Sequence, residues 1–91
     1  MSSILRIKNI GTTIFKQTPI QSSDLKKSDP TYVAKAGELF FASAVDRDVK
    51  KYGGDHWKVT FENKLQPREG GVPIQTWLVF EGDVEEYRLV K

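Results

Sequence analysis

The chain of 91 residues has no cysteine, one histidine and one methionine. Neither a disulfide nor a thiolate zinc site can brace it. A chain of this length buries only about 60–65% of the surface its unfolded form exposes. It must therefore hold itself by packing, alone or against a partner. The lack of cysteine suits a reducing compartment. No apolar run approaches the roughly 18–20 residues that span a bilayer, so no membrane span is expected. The N-terminal stretch MSSILRIKNIG lacks a basic leader followed by a long apolar run, so no classical secretory signal is expected. Charge of one sign is also scarce. There are 14 basic and 12 acidic side chains, a net charge of +2, which gives no large field to steer nucleic acid. The signs are unevenly placed: residues 1–45 carry six basic and three acidic groups, residues 46–91 eight and nine. No internal repeat is visible, and no window of eleven residues or more keeps a helical period.

What the chain does have is strand-forming residues in short runs, broken by Gly, Pro, Asp and Ser. Seven strands are expected: Ile4–Asn9, Thr12–Gln17, Tyr32–Lys35, Leu39–Val45, His56–Glu62, Gln75–Glu81 and Glu86–Val90. In the fifth, Trp57, Val59 and Phe61 alternate with Lys58, Thr60 and Glu62, so the first set should face a core. The sixth is apolar on both faces and should be central. Ser22–Lys27 supports at most one helical turn before Pro30. Lys64–Pro73, with two prolines and a Gly-Gly pair, reads as a loop of about ten residues, either functional or an ordinary hairpin connection. Turns every eight to twelve residues indicate one all-β domain over residues 1–91. The expected form is a small, partly open antiparallel barrel of five to seven short strands. Phe40, Phe61, Phe80 and at least one tryptophan are expected in its core.

Chemistry-bearing motifs are few. His56 with Asp55 and scattered carboxylates does not supply the three or four ligands of a zinc site, and Asp83 with Glu85 could hold calcium only weakly. No serine sits in a Gly-x-Ser-x-Gly turn, and cysteine chemistry is absent. Gly53-Gly54 and Gly70-Gly71 have neither a Walker-type lysine nor a following helix, so they read as turns. No metal, cofactor or catalytic residue is therefore expected, and the chain is not expected to be an enzyme. A small barrel can bind single-stranded nucleic acid through stacked aromatics and a basic groove. Here the aromatics neighbour acids as often as lysines, so nucleic acid is an unfavoured partner. A binding surface for peptide or glycan is the remaining class. Trp57, Trp77, Tyr87, Tyr32, Tyr52 and Phe15 can supply flat rings for it, although a core of this size also needs rings.

Four stretches carry a resemblance. TTIFKQTPIQSSDL (Thr12–Leu25), KAGELF (Lys35–Phe40), HWKVTFENKL (His56–Leu65) and TWLVFEGDVEEY (Thr76–Tyr87) occur in this order. The set resembles the small bacterial and phage Src-homology-3-like modules found beside peptidoglycan hydrolases and other cell-wall enzymes. The matching residues are Phe15, Lys16, Gln21, Ser22, Ser23, Leu25, Ala36, Gly37, His56, Lys58, Val59, Trp77, Val79 and Phe80. Two features depart from that pattern. Leu78 stands where an aromatic is usual, and such modules usually sit next to a catalytic domain, whereas residues 1–91 are expected to be all module.

The resemblance implies a Src-homology-3-like barrel that binds cell-wall glycan or peptide, or a protein segment. The alternative is a small structural protein of a phage or bacterial assembly, packing on like copies or a larger scaffold. Candidate binding residues are His56, Trp57, Trp77, Tyr87, Phe15, Gln21, Ser22 and Ser23. For His56, a hydrogen bond to a neighbouring loop carbonyl near Gln21–Ser23 competes with a ligand contact.

Overall fold

The computed structural model describes residues 3–8, 11–18, 25 and 29–88. They form seven strands: β1 (Ser3–Ile7), β2 (Thr12–Lys16), β3 (Thr31–Lys35), β4 (Leu39–Asp46), β5 (His56–Leu65), β6 (Ile74–Phe80) and β7 (Val84–Arg88). All described pairings are antiparallel, in the order β3-β2-β6-β5-β4-β1-β7. The sheet curls into a half-barrel, with β3 and β7 as its two unjoined edges. β6 is internal, as its two-sided apolar character requires. Each strand lies within a few residues of its expected span. The helical turn expected at Ser22–Lys27 falls outside the described residues, Leu25 excepted. Two short 3-10 turns, Val49–Lys51 and Glu81–Asp83, were not expected. The first has no apolar period to announce it, and the second is an acidic stretch that otherwise reads as a plain turn.

Alternation along each strand sends one side chain in two to the inner face. Leu5, Ile7, Phe15, Ala34, Phe40, Ala42, Val59, Phe61, Trp77, Val79 and Val84 meet there. Phe15 is the hub. It stacks on Phe61 with centroids 5.4 Å apart and on Tyr32 at 5.7 Å, and it takes the edge of Phe40 at 5.3 Å. Offset and edge contacts of this kind add to the burial of the rings themselves. Phe80 corrects its expected place. Trp77 and Val79 take the inner face of β6, so strand parity sends Phe80 to the outer one.

Two devices bend and close the sheet. The register shifts between Ala42 and Ala44 on β4, and Ser43 there donates its hydroxyl to the Thr60 carbonyl at 3.2 Å. Such an irregularity increases local twist. The Ala36-Gly37 turn, with Gly37 at φ +84°, folds onto the β1–β2 connection. The Gly37 amide donates to the Ile7 carbonyl at 2.8 Å, and the Ala36 amide to Gly11 at 3.1 Å.

The loop expected at Lys64–Pro73 is shorter, because β5 runs on to Leu65 and pairs with Ile74. It docks on the start of β3. The Arg68 amide donates to the Thr31 carbonyl at 2.7 Å. The Glu69 carboxylate accepts the Thr31 amide at 2.8 Å and its hydroxyl at 2.6 Å. The Thr31 hydroxyl, followed by the backbone hydrogen bonds and Arg68, holds the Glu69 carboxyl down at about 2. A carboxyl depressed below its ordinary 4.5 stabilises the fold above that pH. That contribution fades as pH falls from about 4.5 towards about 2. Glu69→Gln is expected to cost about 1 kcal/mol at neutral pH. It should also flatten this part of the acid limb in urea midpoints measured against pH. An unchanged acid limb would show that the loop is not anchored this way.

Candidate functional site

The outer face of β2, β6 and β5 collects the polar residues that the sequence motifs single out. Strand parity turns Phe15, Val59 and Trp77 inward, which leaves Lys16, Lys58 and Leu78 on the other side. β2 meets β6 where Lys16 pairs with Leu78, and Leu78 also pairs with Lys58 of β5. This face is partly dry: His56 is 0% exposed and Lys16 only 4%.

Two glycines with positive φ, Gly53 and Gly54, turn the chain into Asp55 and His56. The Asp55 carbonyl accepts the Glu81 amide at 3.0 Å, which fixes the turn to the end of β6. Asp55 Oδ1 lies 2.6 Å from His56 Nδ1, and Lys16 Nζ lies 3.2 Å from His56 Nε2. A carboxylate can only accept and an ammonium can only donate. The arrangement therefore assigns the proton to Nδ1 and the lone pair to Nε2. The Phe80 ring packs edge-on against the imidazole, with centroids 5.8 Å apart. Burial lowers the Lys16 pKa, and the carboxylates of Asp55 and Asp83 oppose that shift. Both imidazole nitrogens are engaged within the chain. The imidazole ties three strands together. Its described partners are a carboxylate and an ammonium, while the loop carbonyl expected near Gln21–Ser23 lies outside the described residues.

Beside this array lies an open cleft of ≈ 320 Å³, lined by Gln17, Lys51, Tyr52, Lys58, Thr76, Trp77 and Leu78. Gln17 Nε2 donates to the Thr76 carbonyl at 2.8 Å. The Val49–Lys51 turn carries Lys51 and Tyr52 to the rim, and the Tyr52 hydroxyl donates to Asp46 Oδ2 at 2.8 Å. Lys51 Nζ reaches the same carboxylate at 3.6 Å. The Asp48 amide first, then the Tyr52 hydroxyl, hold the Asp46 carboxyl below its ordinary range, and the same bond raises the Tyr52 phenol. Lys58 is exposed, and Lys51 keeps 61% of its side chain in solvent. The cleft thus offers two ammonium groups, a fixed aromatic ring and an amide above an apolar strip.

The sequence-predicted site residues do not form one site. Phe15 and Trp77, at 0% and 1% exposure, are core residues, which corrects their reading as ring contacts for a ligand. The Trp77 indole N–H donates to the Ile74 carbonyl at 2.9 Å. His56 is buried beside the cleft. Trp57 is half-buried at the end of the barrel, beneath the Arg47 guanidinium at 5.9 Å. Tyr87 is 49% exposed on the edge strand β7, separated from β5 by β4 and β1. Gln21, Ser22 and Ser23 lie outside the described residues. Lys51 and Gln17 were missed, and Tyr52 was seen only as one ring among several. Its place directly before Gly53-Gly54 was the available signal, since a turn there must present it at a rim.

Among the described residues, no group of three or more His, Cys, Asp or Glu could hold a metal ion, and no helix is long and apolar enough to cross a membrane. Comparison of the chain with protein-family models, curated proteins and solved structures finds no match.

Proposed function

We propose that this chain is a non-enzymatic binding module whose cleft between β5, β6 and the Val49–Tyr52 turn receives acidic cell-wall peptide. The observation that carries the reading is the pairing of Lys51 and Lys58 around an open, partly apolar cleft. A peptide bearing carboxylates finds two cations there. Its aliphatic parts find the Tyr52 ring and Leu78, and Gln17 offers an amide oxygen to its backbone N–H groups. The one imidazole is used internally, which favours binding over turnover. The sequence resemblance to modules that accompany cell-wall enzymes points to the same ligand class.

The test is co-sedimentation with purified peptidoglycan. The wild-type chain should sediment with it. Lys58→Glu and Tyr52→Ala should each lower the bound fraction, by about fivefold or more in affinity, since one charge-assisted contact or one ring contributes about 1 kcal/mol or more. Wild-type protein that stays in the supernatant would refute the reading, as would variants that bind equally well. Affinity for a single-stranded oligonucleotide that falls steeply with salt would instead assign the cleft to nucleic acid.

A further inference from the structure

The two edges of the sheet are treated differently. β3 begins after Pro30, and the 66–73 loop occupies both backbone groups of Thr31. β7 pairs with β1 alone among the described residues, and its sequence, Val84-Glu85-Glu86-Tyr87-Arg88, has no proline and no lysine. An edge strand with open backbone groups is a template for another strand, and the charges on β7, Glu85, Glu86 and Arg88, restrict which strand it accepts. The outer face behind it carries an apolar row beside the Arg6–Glu85 ion pair. Phe41 of β4, Ile4 of β1 and Tyr87 of β7 stand directly opposite one another in a row across three strands. Phe41 is 53% exposed and Tyr87 49%.

We infer that β7 is a homodimer edge, pairing antiparallel with β7 of a second copy about a two-fold axis through Tyr87. The inference is independent of the proposed wall binding and uses a strand that contributes nothing to the cleft. Charge selects both the partner and the register. A two-fold axis normal to the sheet keeps inner face with inner face, so each register is centred on one residue. Centring on Glu85, Glu86 or Arg88 sets like charges against themselves. Centring on Val84 sets Asp83 against Glu85. Centring on Tyr87 sets Glu86 against the second copy's Arg88, twice, and places the two phenol rings side by side. Opposite charges facing across strands stabilise pairing, and like charges oppose it. Glu86 accepts from Arg47 and Ser3 within its own chain, and Arg88 of the same chain stands near enough to help lower its carboxyl, so the second copy's Arg88 adds to a carboxylate already set among cations. Tyr87 donates its hydroxyl to Glu85 at 2.7 Å, and Arg6 holds the same carboxylate at 3.2 Å. The phenol tip is thus tied down within its own chain, leaving the ring flank for its counterpart. The paired row would run Phe41, Ile4, Tyr87, then Tyr87, Ile4 and Phe41 of the second copy, unbroken over six strands.

Analytical ultracentrifugation across a concentration series tests this. The wild-type chain should move from the monomer mass to twice that mass. Arg88→Glu, which sets acids against acids, should raise the dissociation constant at least about tenfold, and Tyr87→Lys, which sets two ammonium groups on the axis, should do the same. Circular dichroism confirms that each variant is folded. If a variant is unfolded, those amides of residues 86–88 that point away from β1 in the wild-type chain decide instead, because their exchange must slow as concentration rises. A wild-type chain that stays monomeric at several hundred micromolar, an assembly larger than two, or a dimer indifferent to both substitutions would each overturn the pairing.

Discussion

Trp77→Ala is expected to remove about 3–5 kcal/mol of folding stability, the usual cost of deleting a large buried ring. A domain this small has only about 5–15 kcal/mol in total, and its short chain places it near the lower end. The indole fills the inner face of the internal strand β6, lies 6.4 Å from the Tyr32 ring and satisfies its one polar atom on the Ile74 carbonyl. Alanine would leave a void beside Tyr32 and Val59 on strands that the sheet fixes in place. With about 4–8 °C lost per kcal/mol, the melting temperature should fall by tens of degrees. Trp77→Phe should keep more than half of the lost stability. Urea unfolding followed by far-ultraviolet circular dichroism gives both numbers. A loss below about 1 kcal/mol would show that the indole is not a core group. Any loss of ligand binding in Trp77→Ala would follow from unfolding, so Tyr52 and Lys58 are the proper probes of contact.

The second large effect belongs to His56. His56→Ala should cost about 2–4 kcal/mol, because it empties a fully buried site and strips Lys16 of an acceptor where burial already disfavours its charge. Lys16→Met should cost distinctly less, since an apolar stem of similar length removes the charge together with the need to solvate it. The order of the two variants is the informative result. If Lys16→Met is the more damaging, the ammonium serves something other than the imidazole. Equal and small losses would mean that the Asp55–His56–Lys16 array is not formed in solution.

The strands were legible because period-two alternation and turn residues act locally. In β5 the inward set Val59 and Phe61 is plain from the spacing alone. Inside and outside were harder to read where both faces are apolar. In Trp77-Leu78-Val79-Phe80 the pattern gives no parity, so Phe80 was expected in the core while β6 in fact turns it to the outer face. Exposure of the rings was not legible either. Trp77 and Tyr87 look alike as candidates in the sequence, yet one lies on an internal strand and the other on an edge, and strand order is a non-local property. The cleft was invisible for the same reason. Gln17, Lys51 and Lys58 are distant in sequence and adjacent only after β2, the Val49–Lys51 turn and β5 are brought to one face.

The seam between β2 and β6 consists of one backbone pair, Lys16 with Leu78, whereas β5 follows both of its neighbours over several residues. The β2–β3 hairpin is therefore fastened to the rest at separate points: the Phe15 ring, the Lys16 contact with His56, the Gln17 amide on the Thr76 carbonyl, the Gly37 amide on the Ile7 carbonyl, and the bonds of Thr31 to Arg68 and Glu69. A unit held by rivets and not by a continuous ladder can swing away without dissolving the remaining five strands. Amide exchange in β2 and β3 is therefore expected to run ahead of exchange in β5, which is held by ladders on both sides.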